Sequence, residues 1–282
     1  MPSQSAAHDL GPLDGSVLLF GGPYGNLEAT RAVLAEAARR GISPARTICS
    51  GDVVAYCADP AATVDLLRAA GIHIVAGNVE QSLAADAGDC GCGYAEGSAC
   101  DRLARDWYGF ARAEIDRARA EWMAALPGSL GFTLGGRRLA VVHGAPSAIN
   151  RYLFPSADDA TLAAEIAASG GDGVIGGHSG VPFIRVVEGK LWLNAGVIGL
   201  PANDGTPRGW FAVMTPGADG VAVDIHALDY DHRAAAARMR ARGLPEGYAR
   251  ALESGVWPSH DAMTDIERAA TGRPLSPMSL VW

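Results

Sequence analysis

Four residues with metal-ligating side chains each follow an apolar run and each stands beside a glycine. They are Asp52, Asn78, His143 and His178. An aspartate oxygen, an amide oxygen and two imidazoles suit a borderline divalent cation such as zinc, manganese or iron, whereas calcium would require more oxygen ligands. Taken singly, Asp52 and Asn78 are also consistent with caps of a helix or turn, and His143 with a hydrogen-bonded core histidine. Their shared position after apolar runs favours one common site.

The elements that must position these residues alternate in the first part of the chain. Apolar runs predict strands at residues 17–20, 46–50 and 73–76, and the helical period of apolar residues predicts helices at 26–40 and 60–70. A βαβαβ order predicts a parallel sheet with right-handed crossovers. Since ligands of such sheets bind outside the carboxyl ends of the strands, residues that follow different strands are expected to converge there.

The second half of the chain is richer in strands. A Gly/Cys-rich loop at 89–100 and one long helix, Asp101–Ala125, precede it. A glycine pair at 135–136 predicts a hairpin between residues 132–134 and 138–142. We further predict a helix at 157–169, a helix at 234–242, and short strands at 172–176, 184–188, 191–194, 210–215 and 221–228. The pattern indicates an α/β protein with two packed sheets flanked by helices.

The domain organisation follows from the same pattern. We expect residues 1–15 to be a mobile N-terminal tail and residues 16–230 to be one domain. Residues 231–282 are expected to form a helical and irregular extension packed on that domain, which is a candidate cap or contact in a homo-oligomer.

Composition excludes some functions. The 282-residue chain has a formal net charge of −8 and no basic stripe, which argues against binding to a nucleic-acid backbone. No apolar run approaches the roughly 18 residues that a membrane span needs, and the N-terminus lacks the features of a secretory signal. We therefore expect a cytoplasmic protein with reduced thiols and no membrane partner.

Five cysteines are a second signal. Cys90, Cys92 and Cys100 lie in the Gly-rich loop after Asn78, and Cys57 follows Asp52. Four thiols on two neighbouring loops could form a closed tetrahedral structural zinc site. The spacing is not a double CxxC, so free thiols in a flexible loop are the other interpretation.

The order of the motifs resembles that of the calcineurin-like metallophosphoesterases. The segments CSGDVVAYC, VAGNVEQSL, VVHGAP, GGHSGVPF and LNAGVIGLP carry the resemblance, which covers about residues 16–215. It is strongest to the bacterial branch of small phosphodiesterases and dinucleotide polyphosphate hydrolases. The resemblance implies a four-layer α-β-β-α sandwich of two packed mixed sheets, and two adjacent metals that activate water to attack a phosphoester.

The sequence departs from the family at one of these two metals. Where the family has an Asp and a His at the end of the first strand, this chain has Gly22 and Tyr24, and Gly180 replaces the second His of the Gly-His-x-His motif. The resemblance implies that all three lost residues belong to the first metal. The ligands that match the second metal, Asp52, Asn78, His143 and His178, are all present. We therefore predict one divalent cation (manganese, iron or zinc) beside a vacated position.

The resemblance also assigns roles around that cation. Asp52 and His143 are candidate catalytic residues, and Tyr24 would either donate to a phosphoryl oxygen or fill the vacated space. Glu80 and Asn194 are expected to support the ligands. Val79 stands where the family often has the His that protonates the leaving group. Arg151 and Arg208 are candidates for holding phosphate oxygens, with surface solvation as the simpler explanation.

Three functions are compatible with these residues. The first is hydrolysis of a small phosphorylated substrate, a phosphodiester in particular, by water that a single metal ion activates. The second is a non-catalytic descendant of the fold that binds a metal or ligand. The third is redox chemistry at a mononuclear iron, for which two histidines and a carboxylate are suitable ligands.

Overall fold

Two mixed six-stranded sheets lie face to face at the centre of the molecule. The computed structural model describes residues 7–282. One sheet has the strand order β1-β5-β6-β7-β9-β8 and the other β12-β11-β10-β2-β3-β4. The strands are β1 Ala7–Pro12, β2 Val17–Phe20, β3 Thr47–Cys49, β4 His73–Ile74, β5 Ser129–Leu134, β6 Arg137–Val142, β7 Gly173–Gly176, β8 Phe183–Val187, β9 Lys190–Asn194, β10 Gly209–Gly217, β11 Gly220–Leu228 and β12 Met278–Val281.

The helices cover the outer faces of the two sheets. They are α1 Leu27–Arg39, α2 Pro60–Ala70, α3 Asn78–Ala84, α4 Ala99–Glu114, α5 Arg117–Ala124, α6 Asp159–Ser169, α7 His232–Ala241, α8 Glu246–Ser254 and α9 Asp265–Ala269. None of these helices of the described chain is long and apolar enough to cross a membrane.

The strand β2 shows why the chain folds into four layers. Its four residues are all buried. Since successive side chains point to opposite faces of a sheet, both faces of β2 are covered. Val17 and Leu19 join the core between the two sheets, whereas Leu18 and Phe20 pack in the core under the helices. On the far side, α6 packs on the other sheet through Leu162 and further apolar residues. The predicted four-layer α-β-β-α sandwich of two mixed sheets is confirmed.

Two predictions about the N-terminal half are wrong. Residues 7–12, which we expected to belong to a mobile tail, form β1 and pair in parallel with β5, while residues 1–6 lie outside the described residues. The single helix predicted for residues 101–125 is two helices, α4 and α5. The break falls at Ile115 and Asp116, where the Asp116 carboxylate accepts a hydrogen bond from Arg119 N at 2.9 Å and so begins a new helix.

The C-terminal extension contributes more than helices and irregular segments. Its last strand, β12, pairs antiparallel with β11 and forms one edge of a central sheet. Trp282 joins the core between the sheets. The extension is therefore part of the architecture of the main domain and is not a separate cap.

Candidate metal centre

The two sheets each supply two of the four predicted ligands. Asp52 lies in the loop after β3 and Asn78 is the first residue of α3, after β4, both in one sheet. His143 and His178 lie in the loops after β6 and β7 of the other sheet. Since these strands all end at the same side of the sandwich, the residues meet where the sheets face each other. We call these four residues the ligand quartet.

Three atoms of the ligand quartet converge on one point. His143 Nε2 lies 3.3 Å from Asp52 Oδ2 and 3.1 Å from His178 Nδ1, and ligand atoms of all three residues lie within 4.8 Å of one another. Ligands about 2.0–2.2 Å from one cation lie roughly 3.0–3.4 Å apart along the edges of its coordination polyhedron. The spacing is therefore that of a site that could hold a metal.

The ring orientation of His143 is fixed from behind. Its Nδ1 lies 2.8 Å from the Ser50 carbonyl oxygen, which can only accept, so Nδ1 carries the hydrogen and Nε2 faces the site. Burial alone would lower the pKa of His143, but the charge and hydrogen bond of Asp52 raise it above its usual value. Burial alone would likewise raise the pKa of Asp52, and His143 lowers it. A proton on Nε2 and a cation thus compete for the same position.

Asn78 carries a buried acceptor without a partner in the described part of the chain. Its amide nitrogen donates to the Cys90 carbonyl oxygen at 2.8 Å and to Cys92 Sγ at 3.4 Å. These bonds fix the orientation of the amide. The other amide atom, Oδ1, is buried and has no hydrogen-bond partner within residues 7–282. An orphaned buried oxygen is unfavourable without a ligand, so a cation in the site would satisfy it.

Glu80 organises the loop that carries Asp52. Its carboxylate accepts hydrogen bonds from the backbone nitrogens of Asp52 (2.7 Å), Val53 (2.9 Å) and Gly77 (2.8 Å), with a longer one from Val54. Burial, together with repulsion from Asp52, raises the pKa of Glu80 to about 7. The structure thus places Glu80 behind the predicted ligand Asp52, in contact with its main chain.

His178 is held by its own loop. Burial, reinforced by the charge of His143, lowers the pKa of His178 to about 3, so its imidazole is neutral and can offer a lone pair. Asn194 donates to Ser179 Oγ at 2.9 Å and to the Gly177 carbonyl oxygen at 3.4 Å. It therefore braces the residues on both sides of His178, as its predicted supporting role requires.

Two members of the ligand quartet adopt left-handed backbone conformations. The φ angles are +53° at Asp52 and +61° at His178. Such angles are costly for residues other than glycine and are retained where the surrounding structure holds them, often at functional sites. The neighbouring Gly77 leaves no room for a side chain, because a Cβ there would lie 2.2 Å from Asp52 Oδ1.

Aromatic and apolar groups fill the position beside the ligand quartet. A Cβ on Gly22 would lie 2.5 Å from Cζ of Tyr24 and 2.7 Å from Cγ1 of Val197. A Cβ on Gly180 would contact the indole of Trp257 at 3.4 Å. The Tyr24 ring and the Trp257 indole thus occupy the surroundings of the two glycines that replace charged ligands in the sequence.

A cavity opens from the ligand quartet towards solvent. Asp52 and His178 line it, together with seven Phe, Tyr and Trp residues. Among the predicted residues, Tyr24, Cys92 and Cys100 also line it. No periodic pattern in the sequence marks the remaining aromatic residues of its lining, which are Tyr56, Tyr94, Tyr152, Phe154, Tyr248 and Trp257.

The cysteines do not form the predicted zinc site. Cys90 and Cys92 are joined by a disulfide bond, so neither offers a thiolate. The Cys57 thiol is buried against the Gly199 carbonyl oxygen at 3.6 Å, and burial raises its pKa. Cys100 and Cys49 are buried free cysteines. Within the described residues the group of acidic, His or Cys side chains close enough to share a metal is Asp52, His143 and His178.

The two arginines that we considered as phosphate ligands are occupied elsewhere. Arg151 forms an ion pair with buried Glu165, and Arg208 forms one with buried Asp204. Neither arginine lines the cavity. The interpretation of both as phosphate-binding residues is therefore wrong.

Comparisons with known proteins agree with this geometry. An uncharacterised protein of Methanocaldococcus jannaschii is 27% identical over 247 residues, which are 82% of this chain and 95% of the relative. A metallophosphoesterase from Sphaerobacter thermophilus has a similar structure, with a TM-score of 0.66 and 24% identity over 86% of this chain and 100% of that one. A hypothetical protein from Pyrococcus horikoshii matches with a TM-score of 0.73 and 18% identity, over 86% and 99% of the two chains.

The structural likenesses establish the fold, and a family model establishes the lineage. The model of the calcineurin-like phosphoesterase superfamily domain matches residues 24–217, which is more than half of the chain and contains the whole ligand quartet. This chain therefore belongs to the calcineurin-like phosphoesterase superfamily.

Proposed function

We propose that this protein hydrolyses a small phosphodiester with water activated by a single divalent cation, which Asp52, Asn78, His143 and His178 hold. The family uses divalent metals to hydrolyse phosphoesters, and three atoms of the ligand quartet have the spacing of a coordination site. The observation that carries the proposal is the convergence of these three atoms. The buried Asn78 oxygen, which has no hydrogen-bond partner among the described residues, supports it.

The chain's own residues divide the work around the site. A divalent cation supplies a Lewis acid that acidifies water and withdraws charge from phosphoryl oxygens. Ser50 holds the His143 ring with its Nε2 lone pair inward, and Glu80 fixes the loop of Asp52. These contacts orient the ligands before substrate arrives, so little reorganisation is needed during the reaction.

Tyr24 supplies a proton donor on the side without metal ligands. Its ring lies against Gly22 and lines the cavity together with Asp52 and His178. Burial, with repulsion from Asp52, raises the pKa of Tyr24 well above its usual value, so the phenol stays protonated. A neutral donor here could hold a phosphoryl oxygen in place of the missing cation.

Charge favours a diester over a monoester. A diester phosphate carries one negative charge and a monoester close to two at neutral pH. No Lys or Arg lies among the described residues that line the cavity. One cation already shared with the Asp52 carboxylate neutralises a monoanion better than a dianion, because the cavity supplies no other positive charge. Val79 offers no proton to the leaving group, so esters with acidic leaving groups are the better substrates.

The test is hydrolysis of bis(p-nitrophenyl) phosphate by protein loaded with manganese, iron or zinc. We expect turnover with at least one metal, one bound cation per chain by elemental analysis, and a loss of about 10²-fold or more in Asp52→Ala. Asp106→Asn is the matched control, because Asp106 is an exposed carboxylate far along α4. Equal rates in the wild type and Asp52→Ala would refute the proposal, as would two cations in the cleft.

A further inference from the structure

One side of the cavity is built by the C-terminal extension, outside the residues that match the family. The family match ends at residue 217, whereas Tyr248, Trp257, Pro258, Ser259 and Met263 line the cavity. The catalytic end of the sandwich and the surface opposite it thus come from different parts of the chain. A segment that faces the substrate without belonging to the shared domain is well placed to determine specificity.

This segment is anchored and does not merely lie over the opening. Trp257 donates from Nε1 to the Pro201 carbonyl oxygen at 2.7 Å and from its backbone nitrogen to Asn203 Oδ1 at 2.8 Å. Further along, the Asp261 carboxylate accepts from the backbone nitrogens of Ala99 (2.8 Å) and Cys100 (3.2 Å) at the start of α4. The segment is therefore held to the main domain at Trp257 and at Asp261.

Several aromatic rings of the cavity lining contact one another or the ring of His178. The Tyr56 ring lies 4.8 Å from that of Tyr24 and 4.6 Å from that of Tyr248, and the Tyr152 ring lies 4.2 Å from that of His178. Their hydroxyls make few contacts, one being Tyr56 to Tyr94 at 3.3 Å. We call this surface the aromatic wall; its members are Tyr24, Tyr56, Tyr94, Tyr152, Tyr248 and Trp257.

The aromatic wall favours a flat substituent on the substrate, and the lack of Lys and Arg among the described residues of the cavity lining favours an uncharged one. These aromatic side chains line the cavity, so a flat guest there could pack on them face to face or edge to face, the arrangements that aromatic pairs favour. A second phosphate or a carboxylate on the substrate would meet tyrosines whose phenols are kept neutral and no Lys or Arg among the lining residues of the described chain. An uncharged flat substituent would meet no such penalty.

We propose that the aromatic wall binds a flat, uncharged aromatic substituent of the phosphodiester, with Trp257 as its main specificity residue. The inference rests on the proposed function for the reacting phosphate, but it concerns the part of the substrate that does not react. It excludes dianionic monoesters and polyphosphates as preferred substrates.

The test measures binding, so that it does not depend on turnover. Diphenyl phosphate, dimethyl phosphate and phenyl phosphate are titrated into the manganese-loaded protein by calorimetry. The first two carry the same charge and differ only in their substituents, and the third adds charge. We expect diphenyl phosphate to bind at least about tenfold more tightly than either of the others, which corresponds to the gain from one or two aromatic contacts.

Variants locate the preference. Trp257→Ala should remove most of the tenfold difference, Trp257→Phe should retain much of it, and Trp122→Phe is the matched control because Trp122 lies on α5, outside this cavity. Thermal melting and manganese affinity show whether each variant is folded. Ser259→Lys, which adds a cation to the lining, should raise the affinity for phenyl phosphate relative to diphenyl phosphate.

The outcomes separate the two proposals. Hydrolysis of bis(p-nitrophenyl) phosphate with equal binding of the diphenyl and dimethyl esters, or tighter binding of phenyl phosphate, would overturn the aromatic preference and leave the proposed function intact. Selective binding of diphenyl phosphate without any hydrolysis would support the aromatic wall and count against the enzyme. A preference that survives in Trp257→Ala would overturn the role of Trp257.

Discussion

At the scale of single residues, Tyr24 changes the site most. Its ring occupies the space in front of Gly22, and its backbone nitrogen donates to the Asp52 carbonyl oxygen at 3.1 Å, so the ring and the ligand loop are held together. Under the proposed function, its phenol is a neutral donor at the position where the resemblance implies a His ligand. A side chain at position 22 would collide with the Tyr24 ring, so the two positions are coupled.

The first prediction follows from this pairing. Gly22 has a φ of +42°, and an added Cβ would lie 2.5 Å from the Tyr24 ring. Gly22→Asp should lower the free energy of unfolding by about 2–4 kcal/mol through strain and overpacking, without binding a second cation. Gly22→Asp with Tyr24→His should recover part of that loss, since the imidazole is shorter than the phenol and does not reach the position of Cζ.

Urea denaturation and elemental analysis of both variants provide the measurements. Gly41→Asp is the control, because a Cβ at exposed Gly41 would meet nothing within 4 Å although the φ angle is also positive. If Gly22→Asp alone were as stable as this control, the Tyr24 ring would not fill the space that we assign to it.

The residues of the ligand quartet were predictable because their chemistry is local. Each follows an apolar strand run and is adjacent to a glycine, so residue type and position could be taken from the sequence. The contacts that support these residues were not predictable from the sequence. The bond from His143 Nδ1 to the Ser50 carbonyl oxygen joins residues 93 positions apart, and no local pattern predicts it. Whether each cysteine is free or joined in a disulfide bond likewise depends on loop conformation.

At the scale of elements, the start of α3 determines the geometry of the loop after β3. Glu80 stands in the first turn of the helix, where a carboxylate is favourable, and it reaches back to backbone nitrogens at Gly77, Asp52 and Val53. One side chain thus joins the two loops that present Asp52 and Asn78. Both oxygens are used, so the loop depends on a full carboxylate.

The second prediction concerns this junction. Glu80→Gln replaces one acceptor oxygen by an NH₂ group that faces backbone donors. We expect it to lower the free energy of unfolding by about 2–4 kcal/mol and to weaken manganese binding by roughly 10–100-fold, as changes behind metal ligands do. Chemical denaturation and calorimetric titration measure the two effects.

Glu96→Gln controls for the loss of a charge, since Glu96 is exposed in the loop before α4. Unchanged metal affinity in Glu80→Gln would mean that the loop of Asp52 is held by other contacts.

The elements themselves were predictable to different degrees. The helix at residues 60–70 and the hairpin of β5 and β6 follow from periodicity and a glycine turn, and both are confirmed. The break between α4 and α5 escaped, because the apolar stripe continues through Ile115 while Asp116 begins a new helix. The strand β1 was not predicted, because its residues are exposed or half-buried and pair only at the sheet edge.

At the scale of the whole molecule, the cavity combines residues of the family domain with residues of the C-terminal extension. One side of the cavity comes from residues between 248 and 263, and after the end of α8 at Ser254 these residues are irregular and have no period that a sequence pattern could show. Trp257 closes the side where Gly180 lies, so the C-terminal extension both shapes the substrate cavity and covers the position beside the ligand quartet. The architecture of the site therefore depends on the stability of that extension.

The final prediction tests how the extension is fastened. Trp282 is 8% exposed in the core between the sheets; its Nε1 donates to the Gly189 carbonyl oxygen of one sheet at 2.9 Å, and its backbone pairs with Val221 of the other. Trp282→Ala should lower the free energy of unfolding by about 3 kcal/mol and the melting temperature by roughly 6–12 °C. Val281→Ala, at a neighbouring residue that is 63% exposed, should change either quantity little. If the two variants had the same melting temperature, β12 would contribute little to stability. A lower melting temperature in Trp282→Ala alone means that this side chain anchors the extension, and with it the aromatic wall, to both sheets.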